Sequence, residues 1–207
     1  MAKPFLNDDA KAALTQAVRE VESCCSAELV VAVRARSGSY LHADLIAGSA
    51  VAFASLAFLL FSPWEFSLFW LLFDPLAAGL LGGLIASRFP GLRRALTPRA
   101  VRRRQVETAA RSTFVENRVH RTAGRTGILL YISVLEREAV AVPDLGVETV
   151  AATEGWTRTI KDIEDAVRRG EDGTQVARLI TNLKPVLAPA LIRSAQDVDE
   201  LANEICE

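Results

Sequence analysis

Two long apolar runs, LIAGSAVAFASLAFLLF (residues 45–61) and FSLFWLLFDPLAAGLLGGLIA (residues 66–86), decide how this 207-residue chain is organised. Both lie within residues 37–87, a stretch that contains no lysine or arginine. A helix needs about 20 mostly apolar residues to cross the roughly 30 Å hydrocarbon core of a bilayer, because it rises about 1.5 Å per residue. The runs therefore predict two transmembrane helices, the first slightly short and the second long enough.

The residues between the runs, 62–65, are Ser-Pro-Trp-Glu and interrupt the apolar pattern. A proline among polar residues predicts a turn, and a tryptophan such as Trp64 is typical of the membrane–water interface. This break therefore predicts the tip of a helical hairpin at the far surface of the membrane. Gly79, Gly82 and Gly83 are compatible with close packing of the two helices.

Asp74, followed by Pro75, is the main exception to the apolar character of the second run. Ionisable groups at such depth are costly and often mark functional positions. One interpretation is structural: Asp74 is protonated, or lies near the outer interface where the proline only kinks the helix. The other is a proton or ion pathway, which needs more polar partners than this hairpin supplies.

A cluster of arginines follows the second run, and no acidic residue lies between Asp74 and Glu107. The arginines are Arg88, Arg93, Arg94, Arg99, Arg102, Arg103 and Arg104. The positive-inside rule places this end in the cytoplasm. Because two spans return the chain to the side it left, the N-terminal part is predicted to be cytoplasmic too. We therefore expect a multi-pass protein of the bacterial inner membrane, whose soluble domain faces the cytoplasm.

The same arginines predict contact with the anionic headgroups of the bilayer, each worth about 1 kcal/mol near the surface. No aromatic residues that stack on bases are interleaved with them, so nucleic acid is not an expected partner. The net charge of −1 likewise gives no reason to expect one.

The length and composition suit one folded domain plus an anchor. Hydrophobic residues make up 50% of the chain, which is high for a soluble domain, and the excess lies in the two runs. We expect residues 1–39 and 98–207 to form two parts of one α/β domain, interrupted by a transmembrane hairpin and basic juxtamembrane segment at residues 40–97. The three cysteines, Cys24, Cys25 and Cys206, match neither a disulfide framework nor a zinc site and indicate a reducing compartment.

The predicted domain is a small mixed sheet flanked by helices. Before the hairpin, apolar residues at helical spacing over 10–21 predict a helix capped by Asn7 or Asp8, and residues 28–34 predict a buried strand. After it come a predicted helix over 98–119, a buried strand over 127–134, and a strand over 139–142 ended by Pro143. A right-handed crossover would make the first two strands parallel, and the third would return antiparallel.

The rest of the sequence predicts helices. Ile160, Ile163 and Val167 form one apolar face, and Val176 to Leu187 supply another, with residues 170–173 between them. Trp156 is predicted as a core anchor at a helix start. A last short helix is predicted over residues 198–205.

Outside residues 40–97 the chain resembles the TPM-domain family, in the subgroup whose domain is interrupted by a membrane hairpin. The matching strings are Ser26-Ala-Glu28-Leu-Val-Val, His120-Arg-Thr122, Arg125-Thr-Gly127-Ile-Leu-Leu-Tyr131-Ile-Ser133, Glu136-Arg137, Asp144-Leu-Gly146, Trp156 and Asp199-Glu-Leu201. The resemblance implies an α/β sandwich, with calcium binding or phosphatase activity described for some members and maintenance of membrane complexes for others. The sequence departs from the family pattern at Ala123-Gly124, where a charged pair is usual, and at Ala202, where proline is common.

The inferred topology predicts a candidate site at one edge of the sheet. An antiparallel third strand brings Asp144 to the edge where the other two strands begin, so Glu28, Arg125, Thr126 and Asp144 are expected to converge. Two carboxylates with hydroxyl and carbonyl oxygens suit a hard cation such as calcium or magnesium. The alternative is structural: Glu28 and Arg125 form a salt bridge or cap strand ends, and 144–146 is a turn.

Two functions follow from these features. The first is a non-enzymatic binding, assembly or maintenance factor that is anchored in the membrane and binds a protein partner. One version of this hypothesis adds a bound divalent cation. The second is a metal-dependent hydrolase resembling an acid phosphatase, suggested only by the family resemblance. The sequence has no phosphate-binding glycine loop, nucleophile motif or dense His/Asp cluster. The first hypothesis is therefore preferred.

Overall fold

A computed structural model describes residues 5–193 and Cys206 of the chain. The chain divides into two compact units. One, here called the sheet unit, consists of Met1–Ser37 and Arg103–Glu207; the other, the hairpin unit, is Gly38–Arg102. The chain thus leaves the sheet unit once, forms the hairpin unit, and returns.

Helices account for most of the described residues, and the strands form one small three-stranded sheet. The helices in chain order are α1 (Asp8–Glu22), α2 (Leu41–Phe61), α3 (Leu68–Ala86), α4 (Pro90–Leu96), α5 (Arg99–Glu116), α6 (Glu148–Ala151), α7 (Glu154–Arg169), α8 (Gly173–Ile180) and α9 (Lys184–Leu187). The strands are β1 (Glu28–Arg34), β2 (Gly127–Ser133) and β3 (Glu138–Pro143). The order in the sheet is β1-β2-β3, with β1 parallel and β3 antiparallel to β2. The predicted mixed sheet flanked by helices is confirmed.

Each face of the sheet contributes to a different apolar cluster, because alternate residues of each strand point to opposite sides. On one face Leu29 and Leu130 join the core formed with α1, α7 and α8. On the other, Leu129 and Tyr131 pack with residues of α5 such as Val106. All seven residues of β2 are buried, as a central strand between two layers requires. Truncating one of its leucines to alanine would cost about 2–5 kcal/mol of stability.

The sequence pattern located most element ends of the sheet unit. The predicted N-cap of α1 is Asn7, whose side chain accepts from the Ala10 N–H at 2.7 Å. Trp156 is buried in the first turn of α7, behind the Thr153 cap, as predicted. The helix predicted over 98–119 ends earlier, at Glu116, because Arg118 takes a left-handed conformation with φ of 55°.

Two further differences concern the C-terminal helices. The apolar face of residues 176–187 is divided between α8, a 3-10 turn at Thr181–Leu183 and α9. Pro185 contributes to the division, since it has no N–H to donate to the carbonyl of Thr181, four residues before it. The helix predicted over 198–205 lies outside the described residues.

The hairpin unit is built around close contact between α2 and α3. A Cβ on Gly48 would lie 2.6 Å from the Gly79 carbonyl oxygen, and one on Gly79 would lie 2.9 Å from the Ala52 Cβ. Only glycine permits this approach of the two backbones. The glycines of the second run thus have the packing role that the sequence suggested.

Candidate functional site

The most conspicuous surface of the described chain is the outer side of α2 and α3. Within the most apolar 18-residue stretch of each helix, 11% of α2 and 0% of α3 is buried. Large apolar side chains point outward, with exposed fractions of 88% for Phe61, 82% for Leu68 and 78% for Leu80. Soluble proteins rarely expose a continuous apolar surface of this extent. Both helices are long and apolar enough to cross a membrane.

The connection between α2 and α3 is aromatic. Trp64 is 66% exposed, and its ring lies 6.3 Å from that of Phe58 and 6.5 Å from that of Phe66 in edge-on geometry. An amphipathic indole with aromatic neighbours suits the interfacial layer of a bilayer. The predicted interfacial role of Trp64 remains a prediction that this geometry fits.

Asp74 contacts a residue that the sequence analysis did not single out. The Ser55 hydroxyl on α2 donates to Asp74 Oδ2 on α3 at 2.9 Å. Asp74 is about 9 Å along the helix axis from the start of α3, at 1.5 Å per residue. Among the described residues this hydroxyl is the one side-chain partner of the carboxylate that the structure resolves, so a chain of polar groups does not extend from it. The arrangement favours the structural interpretation, an interhelical hydrogen bond worth roughly 0.6 kcal/mol.

At the opposite end of the hairpin unit, Arg93 is held by a carboxylate of its own unit. Its Nε donates to Asp44 Oδ1 at 2.9 Å and its Nη2 to Asp44 Oδ2 at 2.6 Å. Nearby, His42 Nε2 lies 3.1 Å from Thr97 Oγ1. These contacts fold α4 back against the start of α2. Arg93 was expected to contact headgroups, but its charge is already compensated, whereas Arg88 is exposed.

The predicted sheet-edge residues do come together at the start of β1 and β2. The Glu28 N–H donates to the Thr126 carbonyl at 3.2 Å, and the Asp144 N–H to the Gly127 carbonyl at 2.9 Å. Arg125 Nε lies 3.0 Å from Asp144 Oδ2, although the N–H is not aligned for a hydrogen bond. The ion pair predicted in the structural alternative was Glu28–Arg125; in the structure Arg125 pairs with Asp144 instead.

The geometry of this edge is that of an interlocked turn. Asp144 Oδ1 accepts from the Leu145 N–H at 2.8 Å, and the Gly146 N–H donates to the Arg125 carbonyl at 2.8 Å. A Cβ on Gly146 would lie 2.5 Å from the Gly124 carbonyl oxygen, so only glycine fits. Arg125 itself has φ of 53°, a left-handed conformation that costs a non-glycine residue about 1–2 kcal/mol. The 144–146 turn of the structural alternative is therefore present.

Glu28 and Asp144 lie on opposite sides of β2. They are two strand spacings apart, or about 10 Å between backbones. Gly127, which lies between them in the register, is covered by Val119, whose carbonyl oxygen would be 2.2 Å from a Cβ at that position. Over residues 5–193 and Cys206, no group of three or more His, Cys, Asp or Glu side chains is placed to hold a metal ion. The calcium or magnesium site at Glu28 and Asp144 stays a prediction.

A buried polar network at the other end of the sheet was not predicted from the sequence, where Glu136 stood out only within a string that resembles the TPM-domain family. Glu136 and Ser133 are both 0% exposed. The Ser133 hydroxyl donates to Glu136 Oε2, and the Ser37 N–H donates to Glu136 Oε1 at 2.9 Å. The Ser37 hydroxyl donates to Ser133 Oγ at 2.7 Å and lies 3.0 Å from the Tyr131 hydroxyl. The network fixes Ser37, the residue at which the chain leaves the sheet unit.

Its sequence signal was weak but present. Tyr131 and Ser133 alternate on one face of a strand that is otherwise apolar, and Glu136 follows at once. Because the hydroxyls and the carboxylate bond to one another, the arrangement stabilises the turn rather than presenting a nucleophile.

Arg103 is one of the arginines that follow the second apolar run and were expected to contact headgroups. In the structure it belongs to an ion-pair cluster of the sheet unit. Its guanidinium lies 3.0 Å from Glu107, 3.1 Å from Glu164 and 3.6 Å from Glu138. The hydrogen bond to Glu164 and the other carboxylates raise the pKa of Arg103 above its usual value. The cluster joins α5, β3 and α7, so this arginine is structural.

One groove on the sheet unit has the character of a binding surface. It encloses about 390 Å³ along α7 and is lined by Trp156, Ile160, Glu164 and Arg168, among others. A partly apolar floor with charged rims of both signs is typical of a non-obligate protein interface.

Cys25 is shielded from solvent and is a poor nucleophile. Cys25 is 1% exposed, and burial raises the pKa of its thiol to about 11. The thiolate is the nucleophilic form, so this residue is inert near neutral pH. Its neighbour Cys24 is half-buried.

Comparison with known proteins supports the fold alone. No protein-family model matches the chain, and no curated protein matches it. Among solved structures, the NMR structure of the BA42 protein from the psychrophilic bacterium Bizionia argentinensis is similar, with a TM-score of 0.59 and 17% sequence identity. The match covers 100% of this chain and 97% of that chain.

Proposed function

We propose that this chain is a TPM-like protein anchored in the bacterial inner membrane by α2 and α3, and that its sheet unit acts as a non-enzymatic binding or assembly factor on the cytoplasmic side. The observation that carries the proposal is the exposed apolar surface of two adjacent full-length helices. At about 25 cal/mol per Å², leaving such a surface in water would cost far more than the few kcal/mol that hold a domain folded. A bilayer removes this cost.

The base of the hairpin unit supports an interfacial position. Arg88 is exposed at the end of α3, and Phe89 beside it is 57% exposed. A cation and an aromatic ring next to the end of a span are typical membrane anchors. The run of arginines then favours the cytoplasmic side for both chain segments of the sheet unit.

The sheet unit supports binding better than catalysis. At the predicted sheet-edge site, the Asp144 carboxylate already faces Arg125 and the Leu145 N–H. The buried Glu136 accepts from two groups of its own unit. The α7 groove, with Trp156 at its floor, is therefore the surface we assign to a protein partner.

The test of this preference is a phosphatase assay on purified full-length protein with calcium or magnesium. We expect no release of phosphate above that of a matched blank. Metal-dependent release that is lost in Asp144→Asn, with the circular dichroism spectrum unchanged, would establish the hydrolase instead.

A further inference from the structure

A groove runs along one face of the α2–α3 hairpin and encloses about 620 Å³. Leu76, Leu80 and Leu84 of α3 line one wall, and their four-residue spacing places them in a single row. Leu45 and Ser49 of α2 are among the residues of the other wall. The groove is an open, mostly apolar depression between α2 and α3.

The groove has the length of one bilayer leaflet. Along α3 and the residue that follows it, the lining extends from Pro75 to Ser87, which is about 18 Å at 1.5 Å per residue. Half of a hydrocarbon core of roughly 30 Å is about 15 Å. On α2 the lining stops at Ala52, although that helix continues to Phe61. The lining therefore has the reach of an acyl chain within one leaflet.

The end of the groove at Ser87 adjoins a basic residue in the sequence. Arg88 comes directly after Ser87, the last residue that lines the groove, and its side chain is exposed. The structure resolves no ion pair between Arg88 and any described residue. The one acidic residue in the lining, Asp44, lies at this same end and is neutralised by Arg93 at 2.6 Å. An anionic group bound by Arg88 would therefore meet no uncompensated negative charge from the lining.

We infer that this groove binds one acyl chain of an anionic phospholipid from the leaflet on the side of Arg88, with the lipid phosphate on the Arg88 guanidinium. The inference rests on the membrane insertion proposed above and adds a specific lipid to it. The row of leucines would contact the acyl chain of the lipid, and the length of the groove matches one leaflet. The arginine would favour an anionic headgroup.

The test is native mass spectrometry of the full chain, released from nanodiscs that contain equal amounts of phosphatidylglycerol and phosphatidylcholine. We expect one phosphatidylglycerol to stay bound per chain. Ser49→Trp fills the groove and Arg88→Gln removes the cation, and each should lower retention about tenfold. The matched controls are Ala50→Trp, an exposed α2 position outside the lining, and Arg104→Gln, an exposed arginine of the sheet unit; both should retain the lipid.

Three results would overturn the inference, and they are distinguishable. Equal retention of the two lipids, or equal loss in the control variants, removes the site while leaving membrane insertion intact. A dimer that Ser49→Trp converts to a monomer assigns the groove to a second copy of the chain. Failure of the wild-type chain to enter nanodiscs refutes membrane insertion itself, and with it the lipid site.

Discussion

Replacing Glu136 with alanine should be among the most destabilising substitutions in the sheet unit. The carboxylate is fully buried and accepts from the Ser133 hydroxyl and the Ser37 N–H. Alanine leaves the buried Ser133 hydroxyl and the part-buried Ser37 N–H without their acceptor, and an unsatisfied buried donor costs about 1–3 kcal/mol. We therefore expect Glu136→Ala to lower the free energy of unfolding by roughly 2–5 kcal/mol. Glu136→Gln keeps one acceptor oxygen and should cost about 1 kcal/mol.

Urea unfolding of the detergent-solubilised chain, followed by Trp156 fluorescence, measures this loss. Trp64→Phe and Trp70→Phe in the background remove the tryptophan signals of the hairpin unit. The control is Glu116→Ala, an exposed glutamate at the end of α5, which should change stability by less than about 0.5 kcal/mol. A loss below about 0.5 kcal/mol for Glu136→Ala, at an unchanged slope with urea, would refute the assigned network.

Three further outcomes follow from the described contacts. Arg125→Ala should destabilise the sheet unit by about 1–3 kcal/mol, because the buried Asp144 loses its counter-charge. Arg125→Gly should be about 1 kcal/mol more stable than Arg125→Ala, because glycine adopts the left-handed backbone without strain. Equal stabilities of the two variants in urea unfolding would contradict this. Cys25 in the folded chain should react with iodoacetamide at pH 8.5 at least about tenfold more slowly than in the urea-unfolded chain, since its thiol pKa is raised to about 11. Peptide mass mapping measures the two rates, and equal rates would contradict the burial of this thiol. Gly48→Leu should separate α2 from α3, because even a Cβ would lie 2.6 Å from the Gly79 carbonyl; a probe pair on the two helices whose distance stays unchanged would argue against the packing.

The sheet and most of its helices were predictable because their causes are local. β1 begins and ends where the apolar run at 28–34 does, and β2 and β3 differ from prediction by a residue or less at each end. The N-cap of α1 also follows from local chemistry, since Asn7 directly precedes the apolar pattern. In each case the signal and its structural effect lie within a few residues of one another.

The polar contacts were less predictable because they join distant parts of the chain. In the sequence Arg103 is one of a run of arginines, and its partner Glu164 on α7 lies 61 positions away. Glu136 likewise accepts a hydrogen bond from Ser37, which lies 99 positions away in the sequence. Convergence of Arg125 with Asp144 was foreseen, since the strand topology fixed it, but the choice of Asp144 over Glu28 as the ion-pair partner depends on side-chain geometry that no sequence pattern carries.

Cysteine accessibility at the hairpin tip tests the membrane hairpin most directly. In a chain whose native cysteines are replaced, Glu65→Cys lies between α2 and α3, and Arg158→Cys lies on the exposed side of α7 in the sheet unit. In intact cells, a membrane-impermeant maleimide should label position 65 from outside the inner membrane, and position 158 only after the cells are opened. Labelling of both positions from the same side would contradict a hairpin that spans the membrane.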